Sequence, residues 1–303
     1  MRTTFARTLL ELAERDERIW LITGDLGYSV VEAFADRFPD RFLNAGVAEQ
    51  NMTGMAAGLA MSGKTVFVYS IVNFPVMRCL EQVRNDVCYH NLNVKIVAVG
   101  GGLVYGGHGY THHGAEDLAV MRVLPNMTVV APGDPVETRL ATEAIARTTG
   151  PCYLRLGKGG EPTVHEMTPV FSLGKAIPMC GGGDVALFST GAMLETVVKA
   201  AGHLSRHGIG AQVWSMPTLS PIDRESILAG ARSTGRVVTV EEHGEGGLGS
   251  VVAEVLAEEG LATRFKPLRL TREPRTCAGS HSYLRSVQGL SAELISSSIQ
   301  AWL

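Results

Sequence analysis

Three stretches of the 303-residue chain hold side chains that could do chemistry. The first is Glu49, the one acid in the otherwise uncharged run from Leu43 to Ser62. Helix N-termini favour a carboxylate, so Glu49 is either an exposed helix-start residue or a buried functional acid. Burial would raise its pKa and keep it protonated, and a buried carboxylic acid can donate a hydrogen bond in catalysis. The second stretch is the glycine-rich loop Gly100 to His113 with Glu116 and Asp117 after it. Its His108, His112 and His113 suggest a metal, but the HHGAED spacing is not that of a zinc-binding helix. GGGLVYGG also lacks both the strand–GxGxxG–helix register and the GxxxxGK[ST] pattern. Two adjacent histidines among glycines point instead to a place where something polar binds closely. The third stretch, Gly24-Asp25-Leu26-Gly27, ends an apolar run. There Asp25 is a cleft residue or a helix cap.

The elements that must position these residues alternate. Phe5 to Arg15 has helical spacing, and Ile19 to Thr23 is a buried-strand run. Val30 to Phe38 reads as a helix stopped by Pro39. Asn51 to Ser62 reads as a small-residue helix closed by Gly63. Strands follow at 65–70, 94–100 and 126–132, with helices at Met77–Tyr89 and Pro135–Arg147, and a strand at Cys152–Leu156. Short apolar strands alternating with helices imply a parallel sheet covered on both faces. The Gly- and Pro-rich stretch near Lys158–Gly183 breaks the rhythm. A second α/β unit follows, with strands at 184–190, 210–216 and 236–242. Its helices fall near Met193–His207, Arg224–Ala231 and Leu248–Glu258. The fold class is therefore α/β, two domains each with a mainly parallel sheet covered by helices. The boundaries are 1–165, a linker at 166–183, and 184–303. In open sheets of this kind ligands bind at the carboxyl ends of strands, where all three stretches fall.

Composition narrows the function. Lys plus Arg is 27 against 30 Asp plus Glu, a net charge of -3, which excludes nucleic-acid binding through a broad basic field. Apolar residues at 45% and charged residues at 19% fit an ordered chain with a sizeable core. Five cysteines without a CxxC pair argue against a disulfide framework. Glu11, Glu14 and Asp16 interrupt any leader-like run, and the longest apolar stretch, Ile96 to Gly107, is too short to span a membrane. The chain is expected to be cytoplasmic and soluble.

The motifs together resemble a known family. FLNAGVAEQNMTGMAAGLAMSGKTVFVYS, CLEQVRNDVCYHNLNVKIVAVGGG and GYTHHGAEDLAVMRVLPNMTV follow one another as in the second half of a transketolase. EEHGEGGLGSVVAEVLAEEG is similar to that family's C-terminal domain. The resemblance covers essentially the whole chain: a thiamine diphosphate pyrimidine-binding domain followed by a transketolase C-terminal domain. The family's Gly-Asp-Gly diphosphate motif is absent from the sequence. The resemblance therefore implies one subunit of a split transketolase, moving a two-carbon ketol unit from a ketose to an aldehyde. A separate diphosphate-binding subunit would hold the diphosphate and its divalent cation, Mg or Ca, in an α2β2 assembly. The substrates would be small sugars or sugar phosphates, with no nucleic-acid or membrane partner. The alternatives are the β subunit of a 2-oxo acid dehydrogenase E1 component and a non-catalytic binding protein of the same fold.

Site roles carry over by resemblance. Glu49 is implied to contact the aminopyrimidine of thiamine diphosphate and to control its tautomer. His112 is implied to hydrogen-bond the sugar near its reacting carbon. Phe74 matches the aromatic that stacks on the pyrimidine, and Asp25 and Ser29 match residues lining the cofactor and substrate cleft. Arg2 and Lys158 fall where the family places cations for a sugar-phosphate tail. Four departures stand out. Ile71 and Met77 replace aromatics around the pyrimidine, which implies a more aliphatic seat. His108 stands where an aspartate usually reads a sugar hydroxyl, and Gly100 where a histidine is often found. Lys158 replaces an arginine and with it bidentate phosphate geometry. Together these departures speak against the usual pentose phosphate substrates and imply a modified, unphosphorylated or otherwise unusual acceptor. For the C-terminal domain, His243 and GEGGLG read as a tight turn before a helix, and His281 as a surface histidine.

Overall fold

The computed structural model describes residues 1–272 and 277–303. Its strands in chain order are β1 (Ile19–Thr23), β2 (Phe42–Asn44), β3 (Thr65–Ile71), β4 (Val94–Val99), β5 (Thr128–Val130) and β6 (Cys152–Leu156). They continue with β7 (Ile177–Cys180), β8 (Val185–Ser189), β9 (Ala211–Ser215), β10 (Thr218–Ser220), β11 (Arg236–Val240) and β12 (Arg264–Leu268). Two sheets result, ordered β10-β5-β6-β4-β3-β1-β2 and β12-β11-β8-β9-β7. Every neighbour pair is parallel except β10 on β5 and β7 on β9. The expected α/β class is what the chain adopts.

Apolar runs decide the central strands. All six residues of β4 are buried, as expected for a strand covered on both faces. Each large apolar side chain removed from water contributes about 2 kcal/mol. The helix Pro135–Arg147 falls where the sequence places it: Asp134 accepts the Glu137 N–H at 2.8 Å, and proline occupies the first turn. Register then positions the site. Thr23 lies opposite Tyr69, and Ile71 opposite Val99. β1, β3 and β4 thus end together, and the segments after Thr23, Ile71 and Val99 share one sheet edge.

Three departures from the sequence reading have physical causes. The single helix expected over Met77–Tyr89 is instead wide π-helical turns, Phe74–Arg78 and Val83–Cys88, flanking a short α-turn Leu80–Gln82. Part of the expected linker, Ile177–Cys180, forms edge strand β7. Three-residue β10 crosses to the first sheet, so the second half of the chain supplies an edge strand of the first half's sheet.

Behind that sheet edge the halves share a buried ionic network. Arg155 on β6 donates to Asp117 at 2.8 and 3.2 Å, to Gly114 O at 2.5 Å and to Glu242 O at 3.1 Å. Tyr153 OH donates to Asp117 at 2.6 Å. Glu242 receives the Leu103 N–H at 2.8 Å and is paired with His281 at 2.7 Å and with Arg285. Burial alone would raise Glu242, but Arg285 and His281 outweigh it and hold the carboxyl at about 2. Beside it, burial pushes Glu241 up to about 7 against the Gly249 and Leu248 N–H groups. Burial likewise pushes His243 down to about 4, against the pull of Asp117. His243 Nε2 accepts the Leu118 N–H at 3.1 Å. The turn expected at His243 is thus also a junction, and His281 is a partner of a buried carboxylate rather than a bare surface histidine.

Candidate active site

Glu49 begins the helix Glu49–Met61 and is 2% exposed. It is a helix-start residue and a buried acid at once. Gly24 packs on it: a Cβ there would lie 3.5 Å from Glu49 Cγ. The buried acid has a partner: Arg78 Nη1 lies 2.9 Å from Glu49 Oε2.

Arg78 is also the entrance to a cleft. The π-helical turn Phe74–Arg78 follows β3 directly and leaves Phe74, Met77 and Arg78 on one side. Such turns recur at functional sites because they break the regular ladder. These three residues line a cleft of about 560 Å³ with Asn73, Tyr110, Thr111, His113 and Glu116. Asn73 Nδ2 donates to Thr111 O at 3.0 Å and to His113 O at 2.9 Å, tying this turn to the histidine loop. Glycine at 114 allows the close approach, since a Cβ there would meet Val72 at 2.5 Å.

From Glu49 a continuous line of contacts runs outward. The Arg78 guanidinium lies 4.6 Å from the Phe74 ring centre. His112 meets Phe74 edge-on at 5.5 Å, and His108 lies 5.0 Å from His112. Tyr105 lies 5.6 Å from His108 and 6.0 Å from His112, and Lys158 Nζ sits 4.9 Å over the Tyr105 ring. Burial, and then the neighbouring His108 charge, lower the His112 pKa below the ordinary histidine value. His112 is therefore neutral at pH 7, able to donate or accept one hydrogen bond. Arg2 closes the line, with Nε 3.6 Å from where a Cβ on Gly159 would sit.

Of the residues singled out in the sequence, the structure thus gathers Glu49, Phe74, Met77, His108, His112, Arg2 and Lys158. Ile71 ends β3, half-buried beside the cleft rather than in its lining. Asp25 and Ser29 stand on the exposed segment after β1, both with positive φ, 55° and 61°. Such strain in non-glycine residues concentrates at functional sites. Asp25 is not a helix cap. Its N–H donates to Asn44 Oδ1 at 2.9 Å, and Asn44 Nδ2 returns a bond to its carboxylate at 3.1 Å. Sequence reading missed Arg78 and Tyr105 as site residues. Arg78 lies four residues after Phe74, at the start of the expected helix. That was the available signal; Tyr105 had none beyond its glycine neighbours.

Comparison with known proteins follows the same outline. The family described as "Transketolase, pyrimidine binding domain" matches residues 1–161, and "Transketolase, C-terminal domain" matches 174–295. The chain is 43% identical over 265 residues to a "Putative transketolase C-terminal section" of Methanocaldococcus jannaschii, covering 86% of this chain and 83% of that protein. It is 39% identical over 300 residues to "6-deoxy-6-sulfo-D-fructose transketolase subunit SqwH" of Clostridium sp. (strain MSTE9), covering 97% and 92%. A solved structure described as "Split gene transketolase, inactive beta4 tetramer" superposes with a TM-score of 0.89 at 39% identity, covering 99% of this chain and 96% of that one.

Proposed function

The chain belongs to the transketolase family, as its pyrimidine-binding and C-terminal domains, and we propose that it works as one subunit of a split, thiamine diphosphate-dependent transketolase. The reaction is transfer of a two-carbon ketol unit from a ketose to an aldehyde. The observation that carries the reading is the line Glu49–Arg78–Phe74–His112 at the carboxyl edge of β3 and β4. When bound, thiamine diphosphate supplies the nucleophile and the electron sink needed to break a carbon–carbon bond beside a carbonyl.

The residues present fit the pyrimidine end of that cofactor. Glu49 offers a carboxylate for a ring nitrogen, and Phe74 offers an aromatic wall. Ile71 and Met77 offer an adaptable aliphatic border. Glu49 holds the proton balance at that nitrogen, while neutral His112 orients the sugar oxygen next to the reacting carbon. Arg78 pairs with Glu49 and covers it from the cleft. Arg2 and Lys158 receive an anionic sugar tail. Asp25 and Ser29 border the same edge.

A second subunit, in an α2β2 complex, supplies the diphosphate seat and the divalent cation, Mg or Ca. Three observations support this. The sequence has no Gly-Asp-Gly triplet. The helix that starts at Glu49 exposes Gln50, Gly54, Gly58 and Met61, with open space at both glycines, a face suited to close packing by another helix. Val47 just before it is 74% exposed. A relative solved as a β4 tetramer is described as inactive. We place the enzyme in the cytoplasm. Its cysteines Cys79, Cys88, Cys152, Cys180 and Cys277 are free, and among the described residues no helix is long and apolar enough to cross a membrane.

The test is reconstitution. The chain is co-expressed with a candidate diphosphate-binding subunit, and ketol transfer from a ketose to an aldehyde is assayed with thiamine diphosphate and Mg. Turnover by the complex and none by the isolated chain supports the proposal. Full turnover by the isolated chain, or transfer to a lipoyl group in place of an aldehyde, refutes it.

A further inference from the structure

We propose that Tyr105 is a specificity-determining residue of this site: its hydroxyl, with Arg2 and Lys158, binds the terminal oxyanion, phosphate or sulfonate, of the sugar substrate. The inference deepens the proposed function and rests on it.

The placement of Tyr105 is tightly determined. Its ring lies on Gly100, where a Cβ would come within 2.1 Å of Tyr105 Cε2. Gly100 also has a φ of +88°. Both facts reserve position 100 for glycine and position 105 for a ring that fills the space. One side of the ring carries Lys158 at 4.9 Å, and His108 and His112 approach from elsewhere. Tyr105 therefore stands between the histidine pair and Lys158.

The charges around this ring are incomplete. Among the described residues, neither Arg2 nor Lys158 forms an ion pair with a carboxylate, although the chain has 30 acidic residues. Arg2 rests against Gly159, next in sequence to Lys158, and its charge acts on Tyr105. The nearby Glu161 accepts the Gly159 N–H at 2.9 Å but is paired with the Met1 ammonium at 2.9 Å, which leaves the Arg2 and Lys158 charges unmatched. A bound anion matches them, whereas a neutral sugar terminus does not. The Tyr105 hydroxyl makes no hydrogen bond to the described residues, and burial raises its pKa, so it remains a protonated donor at neutral pH. A tetrahedral oxyanion offers three terminal oxygens, which matches a guanidinium, an ammonium and a phenol. Lys158 alone is a point charge without forked geometry; the phenol adds the missing direction.

The test uses the assembled complex and Tyr105→Phe, which keeps the ring over Gly100 and removes the donor. KM is measured for xylulose 5-phosphate and for unphosphorylated xylulose as probes. The variant is expected to narrow the KM ratio between the two sugars about tenfold, as for loss of a hydrogen bond to a charged group. A ratio within about twofold of wild type overturns the proposal. Inorganic phosphate and methanesulfonate are then titrated into the same complexes by calorimetry. Weaker binding in Tyr105→Phe supports the anion seat, and the tighter of the two anions assigns phosphate or sulfonate. If the complex turns over neither sugar, the titration alone decides this inference: weakened binding upholds it and unchanged binding overturns it.

Discussion

The cleft and the buried junction are both dense in charged and histidine side chains, yet they are built oppositely. At the junction each ionic group has its partner within the chain: Arg155 with Asp117, Glu242 with Arg285 and His281. These groups lie in the interior, and their bonds tie the two halves together. In the cleft the groups are half-exposed, linked mainly through ring faces, and bordered by the strained residues Asp25 and Ser29. A satisfied cluster holds structure, and removing a member costs folding free energy. An incomplete cluster beside a cleft costs the fold little and awaits a ligand. The difference separates the two kinds of site without reference to any relative.

The comparison breaks most directly at Arg155. Arg155→Met leaves Asp117 buried without its cation and removes the donor to the Glu242 carbonyl. The expected cost is about 3–5 kcal/mol, read as a large drop in denaturation midpoint. A loss under about 1 kcal/mol would show that the junction is not structural.

Next in size is acid sensitivity at His243. Its folded pKa of about 4 lies below the ordinary value of 6.5, so the folded state binds fewer protons than the unfolded one between these limits. The contribution is complete above pH 6.5 and is lost as pH falls toward 4. That loss is about 3 kcal/mol at most. Glu241 acts in the opposite sense. Its pKa, raised from 4.5 to about 7, makes the folded state progressively less favourable as pH rises through that interval. His243→Asn is expected to flatten the acid limb of stability between pH 6.5 and 4. An unchanged limb in urea titrations would assign it to other groups.

Smaller effects belong to the cleft. Arg78→Met removes the partner of buried Glu49, but Arg78 is itself half-exposed. The expected stability loss is about 1–2 kcal/mol, with a much larger loss of ketol transfer in the complex. Equal, small changes in both would make the pair merely architectural. The smallest effect is His108→Asn, which removes one of the two influences that lower His112. The His112 ring resonances should titrate at higher pH than in the wild type. A downward shift would contradict the assigned cause.

How much of this was legible in the sequence depends on the range of the interaction. Pro135–Arg147 could be placed to the residue because its cap and its proline are local. Strands β3 and β4 could be placed because a covered strand is mainly apolar; buried Lys95 is accommodated by donating to Thr148 O and Gly150 O. β10 could not: three residues next to prolines carry no period, and its partner β5 lies nearly 90 residues earlier. The Phe74–Cys88 segment has helical composition, but tertiary packing widens its turns. Glu49, Phe74 and His112 were found because each stands out locally and because the motifs resemble a known family. The Glu49–Arg78 pair and the Glu242 network join residues 29 to 139 positions apart, and a single sequence holds no signal for such pairings.

The most direct measurement is single-turnover ketol transfer by the reconstituted complex, comparing wild type with Glu49→Gln. Glutamine is nearly isosteric with the buried side chain but lacks its charge and its basicity. The account predicts intact assembly by native mass, retained protein stability within about 1–2 kcal/mol, and a rate reduced at least about a hundredfold. A Glu49→Gln complex that assembles and transfers the ketol unit at the wild-type rate would contradict it.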